Sequence, residues 1–277
     1  MNIKTHRFQI GAFEALVIQD GSKPGSLEAV IKRYPDVPRA ALENAAQTLG
    51  LDWDAIELSR NILLLDTGAQ RVLVDTGEGI GDCQLTDALP AAGISPETIG
   101  IVILTHGHGD HIGGLTDAEG RLLYPNARYV MWKTEWDATL ETAAAASDPD
   151  YAAFIRRNLL PIQDRLTLIE SDTDIQPGIR AFAAPGHTVG HMALLIESGG
   201  QRLLHIVDAA HHPAQITYTD WSPRFDRQPE LARVTRRALI ERALSENLPV
   251  MAYHFPFPGL GCVVKRGQMA VWEAGTP

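Results

Sequence analysis

The feature that most restricts how this chain can fold is a run of four potential metal ligands within six residues, His106 to His111. Three histidines and one aspartate are separated by Gly107 and Gly109, and they directly follow the apolar run Ile101-Val102-Ile103-Leu104. The glycines allow a tight backbone turn, so several side chains can converge on one point. Neutral imidazole and carboxylate are ligands that zinc and its neighbours accept. The segment therefore predicts a metal centre at the end of a buried strand.

Three further candidate ligands lie just past the ends of other apolar strands. His187 comes after a strand predicted to end near Ala183, Asp208 ends the run 203–207, and His254 ends the run 250–253. Binding groups in open α/β sheets gather at strand ends, where rigid strands direct short loops. Each of these residues alone would more often be structural, but together with the first segment they form one set.

The arrangement of apolar runs predicts one mixed α/β domain over residues 1–277. Two alternating stretches, 3–10 and 12–19, indicate a strand pair that turns at Gly11. Segment 21–59 contains a helical pattern near 38–49 and is expected to be an insertion or cap, because it is too short to bury its own core. Further predicted strands lie at 62–65, 72–74, 101–104, 178–183, 191–196, 202–207 and 249–252, and predicted helices lie near 84–92, through most of 133–164, and at 229–247.

The order of the motifs resembles the metallo-β-lactamase superfamily: H-x-H-x-D-H, then G-H-T-x-G-H, then an aspartate after a strand, then a late histidine. The Asp66-Thr67-Gly68 and Asp75-Thr76-Gly77 turns are similar to that superfamily as well, and the resemblance covers about residues 60–265. It implies an α/β (α+β) fold, a four-layer αββα sandwich with the site at one edge of the two sheets.

The resemblance also implies a centre of two divalent metal ions. By that pattern one ion is held by His106, His108 and His187, the second ion is held by Asp110, His111 and His254, and Asp208 bridges the two. Zinc is the first expectation, while manganese, cobalt and iron also accept these ligands.

The function implied by the resemblance is hydrolysis, in which a metal-bridging hydroxide attacks a neutral ester-type substrate such as a lactone, aryl ester or phosphotriester. Asp110 is expected to orient the nucleophile or accept its proton. His211 stands where many acyl-homoserine lactonases of the superfamily have a tyrosine that contacts the leaving group. A histidine there resembles the methyl parathion hydrolase branch, and we expect His211 to be catalytic.

Three more residues receive roles from their positions. His191 is expected to form a hydrogen bond that steadies a metal ligand. Phe255 and Phe257 directly follow the candidate ligand His254, so we expect them to line an apolar substrate pocket.

Two alternative functions remain open within the superfamily. A glyoxalase II-like thioesterase usually carries a helical glutathione-binding extension after the last ligand, whereas only a short segment follows His254. A mononuclear iron persulfide dioxygenase shares the histidines of the first metal and does not need all ligands of the second. Iron content and oxygen consumption would identify the dioxygenase.

The composition favours a small-molecule substrate. The net charge is −10, and an acidic surface repels phosphate backbones, so nucleic acid is not expected as a partner. No apolar run approaches the roughly 18 residues of a membrane span and no signal-peptide pattern begins the chain, so we expect a cytoplasmic protein without a membrane partner. Similar enzymes are often homodimers, although the sequence specifies no interface.

Overall fold

Two seven-stranded sheets lie face to face at the centre of the protein, for which the computed structural model describes residues 3–79, 81 and 83–276. The first sheet has its strands in chain order: β1 (Thr5–Ile10), β2 (Phe13–Pro24), β3 (Glu57–Asp66), β4 (Arg71–Val74), β5 (Ile99–Leu104), β6 (Arg128–Trp132) and β7 (Leu166–Ile169). The second sheet contains, from one edge to the other, β8 (Thr173–Gln176), β9 (Ile179–Ala183), β10 (Met192–Ser198), β11 (Gln201–Val207), β12 (Pro249–Ala252), β13 (Leu260–Arg266) and β14 (Met269–Ala274).

Helices cover the outer face of each sheet. Apolar residues of the first sheet pack against α3 to α6, and those of the second sheet pack against α7 and α8. The helices are α1 (Leu27–Arg33), α2 (Arg39–Leu49), α3 (Leu85–Ala91), α4 (Gly109–Ile112), α5 (Lys133–Ala145), α6 (Pro149–Leu159), α7 (Ala214–Thr217) and α8 (Pro229–Ser245), with short 3-10 helices at Pro96–Thr98, Gly113–Leu115 and Leu160–Arg165. The predicted four-layer αββα sandwich is confirmed. Within the described ranges, no helix has the length and apolar character needed to cross a membrane.

The central strand β3 shows why the interior strands read as continuous apolar runs. Leu63 points between the two sheets, whereas Leu64 points to the helices that cover the first sheet. Both side chains are buried, because both faces of the strand are covered. The apolar run 62–65 therefore predicts a buried strand correctly.

The strand directions bring several chain segments to one edge of the sandwich. Strands β4 and β5 are parallel, as are β11 and β12, so the carboxyl ends of each pair emerge on the same side. Backbone hydrogen bonds join the two sheets at this edge. The Met192 N–H donates to the Thr105 carbonyl at 3.2 Å, and the Asn61 N–H donates to the Tyr253 carbonyl at 2.9 Å. The loops that follow β5, β9, β11 and β12 consequently meet at this edge.

Helices α1 and α2 form a small cluster of their own. Val30, Leu42 and Trp53 are buried together, and the cluster extends to Ala214 at the start of α7. The Trp53 indole N–H donates to the Leu42 carbonyl at 3.0 Å, which ties the segment after α2 back to that helix. Residues 27–53 thus pack against the region around α7.

Most elements expected from the sequence are confirmed, including the β1–β2 turn at Gly11. That glycine has a φ of 57°, and a Cβ there would lie 2.0 Å from the Ser198 carbonyl oxygen. Helix α1 and the strands β6, β7, β8, β13 and β14 were not predicted. β13 and β14 lie at the outer edge of the second sheet and mix polar with apolar residues, so they present no apolar run.

The inter-sheet core gives a direct test of this packing. Leu63→Ala should lower the free energy of unfolding by about 2–5 kcal/mol, because the side chain is fully buried and its removal leaves a cavity. Val234→Ala is the matched control, since Val234 is 57% exposed and its loss should change stability by no more than about 0.5 kcal/mol. Denaturant titration of both variants provides the measurement. Equal stabilities for the two variants would contradict the assignment of Leu63 to the core.

Candidate metal centre

The carboxylate of Asp208 lies at the centre of five imidazole rings. Its Oδ2 atom is 3.1 to 3.8 Å from the Nε2 atoms of all five, and Asp208 itself is only 2% exposed. These rings belong to His106, His111, His187, His211 and His254. An isolated carboxylate is costly to bury, so this position depends on the groups that surround it.

Three ring nitrogens meet beside this carboxylate. His108 Nδ1 lies 3.0 Å from His106 Nε2 and 2.9 Å from His187 Nε2. A single proton on His108 could serve one of these contacts but not both. The opposite nitrogen of His187, Nδ1, lies 3.0 Å from the Asp226 carboxylate, which leaves its Nε2 lone pair free. Three lone pairs that converge in this way are satisfied by a cation.

A second group of ligand atoms lies on the other side of Asp208. Asp110 Oδ2 is 3.4 Å from His254 Nε2, and Asp110 Oδ1 is 4.0 Å from His111 Nε2. Together these three residues offer ligand atoms that all lie within 4.8 Å of one another. His187, Asp208 and His211 form another such group. The seven predicted ligands are therefore brought together, and His211 lies beside them.

Unpartnered polar atoms test whether the site fits a metal. His111 Nε2, Asp208 Oδ1 and His211 Nδ1 are all buried and have no hydrogen-bond partner within the described part of the chain. Buried polar atoms in native proteins are nearly always satisfied, so such atoms need another explanation. Imidazole nitrogen and carboxylate oxygen are ligands for zinc and neighbouring divalent metals. The arrangement fits bound divalent metal.

The backbone is held in an unusual conformation where β11 delivers Asp208. Val207 has a φ of 50°, a region that β-branched residues rarely adopt. The Tyr253 N–H donates to the Val207 carbonyl at 3.3 Å, and the Asp208 N–H contacts His191 Nε2 at 3.2 Å. These contacts hold the turn that directs the carboxylate towards the histidines. Strain of this kind is commonly found at functional sites.

Four of the clustered histidines are oriented through their second ring nitrogen. A carboxylate, a hydroxyl or a backbone carbonyl lies within 3.2 Å of this atom in four of the rings, which fixes the tautomer and the ring plane. The contacts are His106 with Thr105 Oγ1, His111 with Asp75 Oδ2, His187 with Asp226 Oδ1 and His254 with the Ser59 carbonyl.

A buried carboxylate connects the two loops that carry the first three histidines. Glu135 lies in the first turn of α5 and is 3% exposed. Its Oε1 accepts the N–H of Gly107 at 2.9 Å, and its Oε2 accepts the N–H of Gly190 at 2.8 Å. A Cβ at Gly107 would lie 2.1 Å from Thr139 Oγ1, so no larger residue fits without displacement. Glu135 thereby fixes the distance between the two loops.

Burial also sets the protonation of the ligands. It lowers the pKa of His106 and His187 well below the ordinary range, and it lowers the pKa of His108. These rings are therefore neutral at pH 7, the form that binds a metal. His111 differs: burial alone would lower its pKa, but the carboxylates of Asp208 and Asp75 raise it well above the usual value in the metal-free protein.

The centre forms the floor of an open cavity of about 500 Å³. Its walls are apolar at Leu58, Phe154 and Phe225, and it also contains three cationic side chains, Lys23, Arg33 and Arg60, along with Glu78. The two phenylalanine residues come from α6 and from the segment before α8.

The prediction for the pocket phenylalanines is corrected by this arrangement. Phe255 is completely buried and packs edge-on against Trp272, with ring centroids 4.9 Å apart. Phe257 packs against the core between the sheets. Neither lines the cavity, because the chain turns into the sandwich after His254. His191 Nε2 lies 3.2 Å from the backbone nitrogen of Asp208, and His191 Nδ1 lies 2.9 Å from the Ala184 carbonyl oxygen.

Sequence reasoning assigned no role to Asp75, Glu135 or Asp226. A signal was present for Asp75, because it directly follows the buried run 72–74 in an Asp-Thr-Gly turn. Glu135 and Asp226 lie in segments without a recognisable motif and reach the centre only through tertiary packing.

Comparison with known proteins gives one family. The family described as the Metallo-beta-lactamase superfamily matches residues 55–254. A solved structure of AidC, a dizinc quorum-quenching lactonase in complex with a product, is similar with a TM-score of 0.88 and 25% identity, covering 99% of this chain and 98% of that one.

Two curated relatives have named activities. An atrochrysone carboxyl ACP thioesterase of Passalora fulva is 32% identical over 143 residues, covering 51% of this chain and 34% of the relative. An N-acyl homoserine lactonase of Bacillus thuringiensis is 27% identical over 209 residues, covering 66% of this chain and 76% of the relative. The chain spans half or less of the length of the fungal relatives that it matches.

The connection made by Glu135 can be tested through metal binding. Glu135→Gln should weaken metal affinity about 10- to 100-fold, because the amide cannot accept from both Gly107 and Gly190, and the loops then lose their fixed distance. Competition with a chelator measures the affinity. Glu141→Gln on the exposed side of the same helix is the control and should bind metal like the wild type. Unchanged affinity in Glu135→Gln would contradict the role given to this carboxylate.

Proposed function

Since the chain belongs to the metallo-β-lactamase superfamily, we propose that it is a metal-dependent hydrolase that cleaves an uncharged ester-type bond, as in a lactone, an aryl ester or a phosphotriester. The observation that carries this proposal is the convergence of five imidazoles on the buried Asp208 carboxylate at the floor of an open cavity. Relatives that act on lactones and on a thioester lend support.

The proposed centre has two metal positions. His106, His108 and His187 would hold one divalent ion, while Asp110, His111 and His254 would hold the other. Asp208 lies between the two groups and would bridge them. Zinc suits this set of nitrogen and carboxylate ligands, and manganese, cobalt or iron would also be accepted. When bound, the ions would supply a hydroxide nucleophile near neutral pH and polarise the oxygen of the scissile group.

Asp110 and His211 are the side chains that we expect to act on the reacting atoms. Asp110 is only partly buried and lines the cavity, so its carboxylate can orient the nucleophile and accept its proton. His211 also lines the cavity, and burial lowers its pKa to about 3, so the ring is neutral at pH 7. Its Nε2 atom lies on the side of the centre, 3.3 Å from Asp208 Oδ2. An N–H at this atom could donate to the leaving oxygen.

The thioesterase alternative has a specific observation in its favour, namely the match to a fungal ACP thioesterase. A thioester differs from an oxygen ester mainly in its leaving group, so the same metal floor would serve both. The mononuclear iron dioxygenase alternative has less support, because the ligand atoms of the second metal position are also in place.

The first experiment compares substrate classes. We expect the zinc-replete protein to hydrolyse one class of oxygen ester preferentially, measured as kcat/KM on lactones, aryl esters, a phosphotriester and a glutathione thioester. Asp208→Ala serves as the blank and should lose both metal and activity, because it removes the carboxylate shared by the five rings. Faster thioester cleavage would favour the thioesterase alternative. Negligible rates with metal bound, together with iron-dependent oxygen consumption, would overturn the hydrolase proposal.

A second experiment separates catalysis from metal binding. His211→Ala should retain its metal content and lower kcat about 100-fold, because the group expected to contact the leaving oxygen is removed. Metal analysis and steady-state kinetics are measured on the same sample. Loss of metal in this variant would instead make His211 a ligand, which its position beside His187 and Asp208 also permits.

A further inference from the structure

The mouth of the cavity holds two cationic side chains that form no ion pair with the residues that the structure describes. Arg60 is neutralised, since it pairs with Asp20 at 3.4 Å and with Glu78 at 2.9 Å. Lys23 and Arg33 also line the cavity, but among the described residues neither of them forms an ion pair or a side-chain hydrogen bond. The two remaining carboxylates of the lining, Asp110 and Asp208, face the histidines of the metal centre.

Arg33 is held in place although its charge is unpaired. Its carbonyl accepts the Arg224 N–H at 2.8 Å, and its guanidinium lies over the ring of Phe225, with Cζ 5.5 Å from the centroid. The next residue, Tyr34, is buried and donates its hydroxyl to Gln215 Oε1 at 2.9 Å. The same oxygen accepts the backbone N–H of His211 at 2.7 Å. These contacts fix the position of Arg33 relative to the metal centre.

An apolar wall separates this cation from the centre. The Phe225 ring centroid lies 6.4 Å from that of His211 and 5.5 Å from Arg33 Cζ. These distances add to about 12 Å, which is the upper limit for the separation of the guanidinium from the His211 ring. Leu58 and Phe154 complete the wall. A ligand that reached from the metal centre to Arg33 would therefore have an apolar middle.

The charge of the mouth selects for an anion. The whole chain carries a net charge of −10, yet this rim presents two cations, unpaired among the described residues, above a metal centre that is itself cationic when loaded. A guanidinium fork matches the paired oxygens of a carboxylate or phosphate, and the field in a cleft concentrates oppositely charged ligands.

We propose that Arg33, together with Lys23, binds an oxyanion at the far end of the substrate. The preferred substrate is then an ester whose uncharged scissile bond is separated from a carboxylate or phosphate by a short apolar spacer. Segment 21–59, which carries both cations, is on this proposal a cap that recognises the substrate and supplies no metal ligand. The choice of substrate rests on the proposed hydrolase function, whereas binding of the oxyanion does not.

The hydrolytic test uses two para-nitrophenyl esters that differ at the far end, where one is charged and the other is not. Mono-para-nitrophenyl adipate carries a free carboxylate, and its methyl ester does not. We expect the zinc-loaded wild type to prefer the charged ester by about tenfold or more in kcat/KM. Arg33→Met should remove most of that preference by lowering kcat/KM on the charged ester, because Lys23 alone then remains to bind the oxyanion. Arg33→Lys should restore part of the preference.

Matched controls separate a local charge effect from a general one. Lys32→Met removes the same charge from an exposed position on α1 that does not line the cavity, and it should keep the wild-type preference. Equal rates on the two esters in the wild type, or an equal loss on both in Arg33→Met, would overturn the proposal.

A binding measurement tests the oxyanion site even if neither ester is hydrolysed. Failure of hydrolysis would count only against the proposed hydrolase function. Calorimetry compares adipate with hexanoate on the metal-loaded protein, since each has one carboxylate for the centre and only adipate has a second. Adipate should bind about tenfold more tightly or better, and Arg33→Met should abolish the difference. A hexanoate that bears a terminal phosphate shows which oxyanion is preferred. Equal affinity of the wild type for all three ligands would refute the oxyanion site.

Discussion

The electrostatic compensation of one buried carboxylate organises this protein. Asp208 is almost completely removed from water, and such burial costs several kcal/mol unless charges or donors replace the solvent. Five imidazoles surround it, and each comes from a loop that follows, or lies close to, the end of a strand. Two rigid sheets packed together can hold those strand ends at fixed positions, which a single flexible loop could not.

Electrostatic compensation continues in the groups that contact the five imidazoles. The rings that approach Asp208 are held in turn by Asp75, Asp226 and backbone carbonyls, and Glu135 fixes two of the loops. Asp226 is itself buried and contacts Arg236 at 3.2 Å, so the chain of compensation extends into α8. The metal centre is therefore as much a product of the helical layers as of the ligand motifs.

The ligand motifs could be found from the sequence because their signal is local. Three of the histidines lie within six residues of one another, and the other ligands follow apolar runs that indicate strands. The helical layers, the central strands and the hairpin at Gly11 followed from periodicity for the same reason. Glu135 and Asp226 could not be found, since their role arises only from packing between distant segments. The placement of Phe255 was wrong because adjacency in sequence to a ligand does not determine which way the next side chain turns.

The floor and the mouth of the cavity come from different parts of the chain, and this separation bears on how such a protein can change during evolution. The metal floor depends on strand ends whose displacement would disturb both sheets. The mouth depends on Lys23, near the end of β2, and on Arg33 in the helical segment that follows, where substitutions at exposed positions disturb little of the interior. Descendants of one ancestor could therefore acquire new ligand preferences by altering that segment while keeping the same metal floor. A shared sandwich fold and varied ligand preferences at the cavity mouth would then both follow from this separation.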